Sequence, residues 1–253
     1  MSPIATATLV LVVTFAAALL GIAAQRWLPP QHRENETKDT VRIAIGTIAA
    51  LTALVLGLST SSAKSGFDLA CRNLHDSTID LITIDRLLGR YGDEASDLRH
   101  DLQQLVRRRL DWLANLTAQG HDAYDPLAGA ALVEGVADRI YDLEPHDARQ
   151  RGIKERLVVV SEAALRSRWA LAAEQDARVP PLFLLAVGSW LVVMFFSYGF
   201  FARWNATVLV ALLACALSVS IAVFLILELE RPFSGFIRVP AAGLRRAQAV
   251  LGK

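Results

Sequence analysis

Apolar residues along the chain gather into four blocks, and the polar residues gather between the second and third. The first block is Ile4 to Ala24 and the second Val41 to Ser62. The third is Leu182 to Phe201, opened by Pro180-Pro181, and the fourth is Thr207 to Leu227. Each is long enough to cross the hydrocarbon core of a bilayer as one helix. The interval Ala63 to Val179 changes period. Phe67, Ala70, Leu74, Ser77, Leu81, Ile84, Leu88 and Tyr91 recur by threes and fours, the seam of an amphipathic helix. Gly92 stops it, and Asp93 with Glu94 suits the start of another helix. Leu98, Leu102, Leu105, Leu113 and Leu116 carry that second helix to about Thr117, and Gly120 to Pro126 reads as a turn. A third helix is expected over Leu127 to Leu143 and a fourth over His146 to Ala177, with Pro145 between them. No strand alternation is present. The pattern predicts an all-α integral membrane protein: spans one and two over residues 1–62, a helical cytosolic domain over 63–179, spans three and four over 180–229, and a basic cytosolic tail over 230–253.

The second block differs from a plain anchor. Gly46, Ala50, Ala53 and Gly57 form a row of small residues on one side, which lets another spanning helix pack close. Beside it runs a second row of Thr47, Leu51, Leu54, Leu58 and Ser61, and the last turn, Ser59 to Ser62, is rich in hydroxyls. Packing on one face and a narrow apolar row with polar ends on another suit a pore lining. A packed helix in a non-conducting bundle accounts for the same rows and is the simpler reading of composition alone.

The first block is expected to be retained as a span. No Lys or Arg precedes Arg26, so the charged leader of a secretion signal is missing. Trp27 and the cluster from Phe195 to Trp204 sit where interfacial aromatics belong, and Pro29-Pro30 ends the first helix. Basic residues favour a cytoplasmic N-terminus, helical region and tail: Lys64, Arg72, Arg178, Arg238, Arg245, Arg246 and Lys253 against Arg26, Arg33, Lys38, Arg42 and Arg203.

Composition narrows function by exclusion. Hydrophobic residues make up 53% and charged residues 20%, with a net charge of +1, so no basic surface points to nucleic acid. The polar interval holds sixteen Lys/Arg and twenty Asp/Glu, interspersed as on a solvated helical surface. Cys71 and Cys215 lack metal or disulfide spacing and read as small buried residues. His75-Asp76 and the set Asp97, His100, Asp101 have helical neighbour spacing but no metalloprotein motif, and no cofactor is expected. Arg107-Arg108-Arg109 is expected to point outward, pairing with Asp111 or Asp101. Glu228 and Glu230, at the end of the last span, are the best candidates for a functional charge and equally suit ordinary interfacial positions. No nucleophile elbow or phosphate loop points to an enzyme.

Two segments carry a family resemblance. Leu81 to Ala95, LITIDRLLGRYGDEA, resembles the LDRxLxxYGPEA segment of the bacterial bestrophin-like family, through Asp85, Arg86, Tyr91 and Gly92. Leu229 to Gly235, LERPFSG, resembles its LDRPFSG segment, through Pro232, Phe233 and Gly235. Asp93 stands where the family has proline, and both suit a helix start. The resemblance implies an oligomer, pentameric in true bestrophins, that conducts an anion such as chloride through a pore lined by the second span. Leu56-Gly57-Leu58 is similar to the LGF segment of the bestrophin neck, which would turn Leu54 and Leu58 to the pore. In such a channel the hydroxyls of Ser59, Ser61 and Ser62 are expected to rehydrate the ion at the cytoplasmic mouth. The acidic run that holds calcium in bestrophins is absent after Pro232-Phe233, so no calcium clasp of that kind is expected. The competing expectation is a non-conducting scaffold or stress-signalling protein acting through its helical region.

Overall fold

A computed structural model describes residues 2–25, 35–119, 126–174, 181–202, 204–233, 235–240 and 242–251. The expectations for Trp27, Pro29-Pro30 and the loop to residue 34 lie outside the described residues. So do those for residues 120–125, Arg178, Pro180, Arg203, Ser234 and Lys253, and for the side chains of Leu113 and Leu116.

The helices are α1 (Pro3–Ala24), α2 (Asn35–Tyr91), α3 (Ser96–Gln119), α4 (Pro126–Tyr141), α5 (Ala148–Glu174), α6 (Pro181–Phe201), α7 (Ala206–Leu229) and α8 (Ala242–Val250). A 3₁₀ turn, Asp93–Ala95, precedes α3, and no strand occurs among the described residues. The second apolar block and the seam from Phe67 to Tyr91 are one uninterrupted helix of 57 residues. By length and composition α1, α2 and α7 can each cross a membrane. At 21 residues, α6 has a rise of about 31 Å, close to the thickness of a bilayer core.

The chain divides into two compact units, Met1–Ser65 with Val179–Glu230, and Gly66–Arg178 with Arg231–Lys253. In the first, α1 packs on α6 and α7. Ser2 starts α1 by accepting the Ala5 N–H at 3.2 Å, with Pro3 in the first turn, where its missing N–H costs nothing. Thr14, Ala17, Ala18 and Gly21 are the buried face of α1. Ala17 and Ala18 share a cluster with Val187, Leu191 and Phe195 of α6 and Leu212 and Ala216 of α7, and Val55 and Leu56 of α2 pack against it. The α1–α6 crossing is closest at two glycines. A Cβ on Gly21 would overlap the Phe196 carbonyl, and a Cβ on Gly199 would overlap that of Ala18. Between apolar helices in lipid such close approach is what holds them, since lipid and leucine are equally apolar. Polar ties add to it. Gln25 Nε2 donates to the Phe200 and Ala202 carbonyls at 2.7 and 3.1 Å, satisfying acceptors that the end of α6 leaves open. Ser220 Oγ donates to the Ala7 carbonyl at 2.7 Å.

In the second unit the expected seam is the core. Leu81, Ile84, Leu88 and Tyr91 of α2 share one cluster with Leu98, Leu102, Leu105 and Val106 of α3, Val133, Val136 and Ile140 of α4, Leu157 and Ala164 of α5, and Leu244 of α8. Gly92 makes the turn between α2 and α3 with φ 125° and ψ −173°, a region that side chains exclude. Gln150 holds this turn by donating from Nε2 to the Tyr91 carbonyl at 3.0 Å. The fourth expected helix begins two residues late, at Ala148, because Asp147 caps it: its Oδ1 accepts the Gln150 N–H at 2.6 Å.

The segment after residue 230 contains α8, whose Leu244 and Ala247 are buried. Three expectations need correction. Arg109 turns inward and is 8% exposed, because Ser77 accepts its guanidinium at 2.9 Å. Asp101 pairs instead with Arg139. Cys215 lies on the exposed side of α7 rather than in the core, while Cys71 is half-buried.

Candidate functional site

The upper part of α2 has three faces. Ile45, Thr52, Ser59 and Ala63 are buried within the chain, at heptad-like spacing. Thr52 Oγ1 donates to the Ile48 carbonyl at 2.7 Å and lies 3.8 Å from the Met194 sulfur. Ser59 Oγ donates to the Val55 carbonyl at 2.8 Å, so Ser59 turns into the chain and does not share the exposed side of Ser61 and Ser62 expected for a mouth hydroxyl. Side-chain bonds of this kind satisfy hydroxyls without needing water.

Neither of the two rows expected from sequence lies on this buried face. By helical register each is turned about 130° from it, one to either side. On one side are Gly46, Ala50, Ala53 and Gly57, all exposed. Among the described residues nothing stands within 4 Å of a Cβ built on Gly46 or Gly57. On the other side are Thr47, Leu51, Leu54, Leu58, Ser61 and Ser62, again all exposed. Leu54 and Leu58 are 60% and 62% exposed. Thr47 Oγ1 donates to the Ile43 carbonyl at 3.2 Å. The chain therefore packs the third face of α2 and leaves both predicted rows to other surroundings.

The first family motif divides in two by direction. Asp85 points into the protein, 1% exposed, and accepts both Nε and Nη2 of Arg99 at 2.8 and 3.1 Å. Arg86 is exposed. Tyr91 is 3% exposed, and its hydroxyl has no hydrogen-bond partner among the described residues. Burial, then the charges of Glu94, Asp147 and Glu144, raise its pKa above the ordinary tyrosine value. The pairing with Asp85 also raises the pKa of Arg99, against the opposing effect of burial. The second motif forms a compact turn after α7. The Gly235 N–H donates to the Arg231 carbonyl at 3.2 Å, the Val239 N–H to that of Pro232 at 2.9 Å, and Arg238 Nε to that of Gly235 at 2.5 Å. Gly235 is buried here and Pro232 and Phe233 are half-buried. Glu228, just ahead of the turn, is only 1% exposed.

Sequence reasoning missed Arg99, Gln150 and the two crossing glycines. Arg99 is one turn into the helix after Gly92, which could have marked it as the partner of Asp85. Ala17 and Gly21, four residues apart in α1, carried the small-residue signal of the α6 contact. The spaced His and acidic residues do not converge: among the described residues no three His, Cys, Asp or Glu come close enough to hold a metal ion. His100 is exposed, as are His75 and Asp76.

Apolar helices of spanning length in an all-helical chain define a membrane protein. The chain belongs to the bestrophin-like family: the model for the Bestrophin-like domain matches residues 12–244. No curated protein matches it. Its fold is similar to solved structures of two single-residue variants of a bacterial bestrophin homologue from Klebsiella pneumoniae. Both have a TM-score of 0.66 at 14% identity; the match covers 96% of this chain and 97% of the first variant, and 97% of both chains for the second. A third variant of that homologue gives a TM-score of 0.67, also at 14% identity, over 96% of each chain.

Proposed function

We propose that the protein is a homo-oligomeric ion channel in a bacterial inner membrane, with cytoplasmic termini and a pore lined by α2. The observation that carries this is the division of α2 into a packed face and two unpacked rows of different chemistry. Gly46, Ala50, Ala53 and Gly57 give a neighbouring subunit a surface it can approach closely. Leu54 and Leu58 form the neck, a hydrophobic constriction that gates by dewetting. Thr47 and Leu51 line the entrance above it, and Ser61 and Ser62 rehydrate the ion below. The permeant ion on this reading is an anion such as chloride. Five subunits is the number the family resemblance suggests.

Purified protein in liposomes tests this directly. The wild type is expected to pass chloride, and Leu54→Ala combined with Leu58→Ala to pass it faster through a wider neck. Unchanged flux in the double variant removes those leucines from the gate. No flux from an intact oligomer overturns the channel and leaves a membrane scaffold.

A further inference from the structure

The segment that leaves α7 carries an exposed apolar pair. Phe236 is 75% exposed and Ile237 39%, while Gly235 just before them is buried. The covalent chain limits how far this pair can lie from the end of the last span. Leu229 closes α7, and the Gly235 N–H, on the Arg231 carbonyl at 3.2 Å, folds the chain back at once. Backbone dimensions then keep the Phe236 Cα within about 11 Å of the Arg231 Cα, two residues past the apolar helix. The headgroup layer of a bilayer begins where the apolar stretch of a span stops. The Val239 N–H on the Pro232 carbonyl at 2.9 Å closes the same turn, so the pair is held out by a backbone that is already ordered.

A cation follows the pair. Arg238 is exposed. Its Nε is spent on the Gly235 carbonyl, and its two terminal nitrogens have no partner among the described residues. The acids nearest in sequence, Glu228 and Glu230, are both engaged within the chain. From Pro232 to the end the sequence holds Arg238, Arg245, Arg246 and Lys253 and no acid, so no charge in the tail repels an anionic surface.

We propose that residues 235–238 dock on the bilayer as a lipid anchor. Phe236 and Ile237 enter the boundary between headgroups and acyl chains, and Arg238 binds the phosphate of an anionic phospholipid. This rests on α7 crossing the membrane and is independent of conduction. An apolar pair beside a cation is the arrangement of an interfacial anchor: burial of the pair supplies attachment, and the cation supplies preference for anionic lipid. Because the turn is closed by its own hydrogen bonds, docking orders little that is not ordered already.

The experiment places a nitroxide at Ile237→Cys in the full chain, with Cys71→Ala and Cys215→Ala, in vesicles of phosphatidylglycerol or of phosphatidylcholine. Collisions with oxygen, which partitions into lipid, are compared with collisions with a nickel chelate, which stays in water. The ratio of oxygen to nickel access is expected to be higher in phosphatidylglycerol by roughly fivefold, the gain of one arginine at an anionic surface. Arg238→Gln should remove that difference and Arg238→Lys should keep it. Phe236→Ser should lower the ratio in both lipids. Salt makes the same test on the labelled chain without touching Arg238: at 1 M the screening length is about 3 Å, and the difference between the lipids should largely vanish. A label open to nickel in both lipids overturns the inference. So does a label shielded from both colliders, which means that protein covers it, a second copy included. Equal ratios in the two lipids at low salt overturn it as well.

Discussion

Arg99 grips Asp85 with both arms of its side chain, Nε on Oδ1 at 2.8 Å and Nη2 on Oδ2 at 3.1 Å. Asp85 is almost wholly buried, whereas the Arg99 side chain keeps 25% of its surface in water. The pair joins the last turns of α2 to the first turns of α3 across the Gly92 bend. Asp85→Ala should cost about 3 kcal/mol, the low end for breaking a buried pair by removing one partner. Arg86→Ala, next door but exposed, should change stability by no more than about 0.5 kcal/mol. Denaturant unfolding of the two variants measures the difference, and equal effects would contradict these roles.

The Gly92 bend itself is testable. Its φ of 125° with an extended ψ is open to glycine alone. Gly92→Ala should destabilise by about 1–3 kcal/mol. Gly152→Ala, inside α5 with open space around it, should stabilise by about 0.5–1 kcal/mol. A thermal melt that fails to separate the two in sign would count against the conformation described.

Tyr91 gives the protein an alkaline weakness. Its folded pKa lies above the unfolded value of 10.0, so the folded chain holds its proton more tightly than the unfolded chain does. Stability from this group is complete below about pH 10 and falls as pH rises through the folded value. Tyr91→Phe should flatten that fall. Because the hydroxyl has no partner to lose, the variant should also match or exceed wild-type stability at neutral pH. Melting curves from pH 7 to pH 11 check both statements.

The small residues of the spans should separate into two groups. Gly21→Ala and Gly199→Ala each force a Cβ into opposing backbone and should destabilise the fold by about 1–3 kcal/mol or more. Gly46→Ala and Gly57→Ala meet none of the described residues. Their effect should appear in subunit association, read by native mass spectrometry in detergent, with the melting of the single chain unchanged. If Gly46→Ala and Gly57→Ala disturb folding as much as Gly21→Ala, this division fails.

How much could be read from sequence follows from what periodicity encodes. A helix and its buried face are local properties, so the seam from Leu74 to Tyr91 and the stop at Gly92 were visible before any coordinates. The partner of a face is not local. Two small-residue rows are present, one in α1 and one in α2, and only packing distinguishes the Ala17–Gly21 row, which meets α6, from the row whose Gly46 and Gly57 meet none of the described residues. Arg109 illustrates the same limit. Three successive arginines look alike, yet the side of the helix decides that Arg107 and Arg108 stay in solvent while Arg109 enters the core. In the basic tail, Leu244 and Ala247 give a nine-residue helix a buried side that the conspicuous charges do not announce.

The crossing of α1 with α6 also sets an order on biosynthesis. α1 is made well before the groups that complete it, Phe196, Phe200 and Gly199 at the crossing and Ser220 on α7. A ribosome must deliver the whole polar middle of the chain before Gln25 finds the carbonyls of Phe200 and Ala202. Until then α1 waits in the bilayer with Ala17, Ala18 and Gly21 facing lipid or a chaperone. A chain truncated before residue 181 thus lacks every partner that α1 has on α6 and α7.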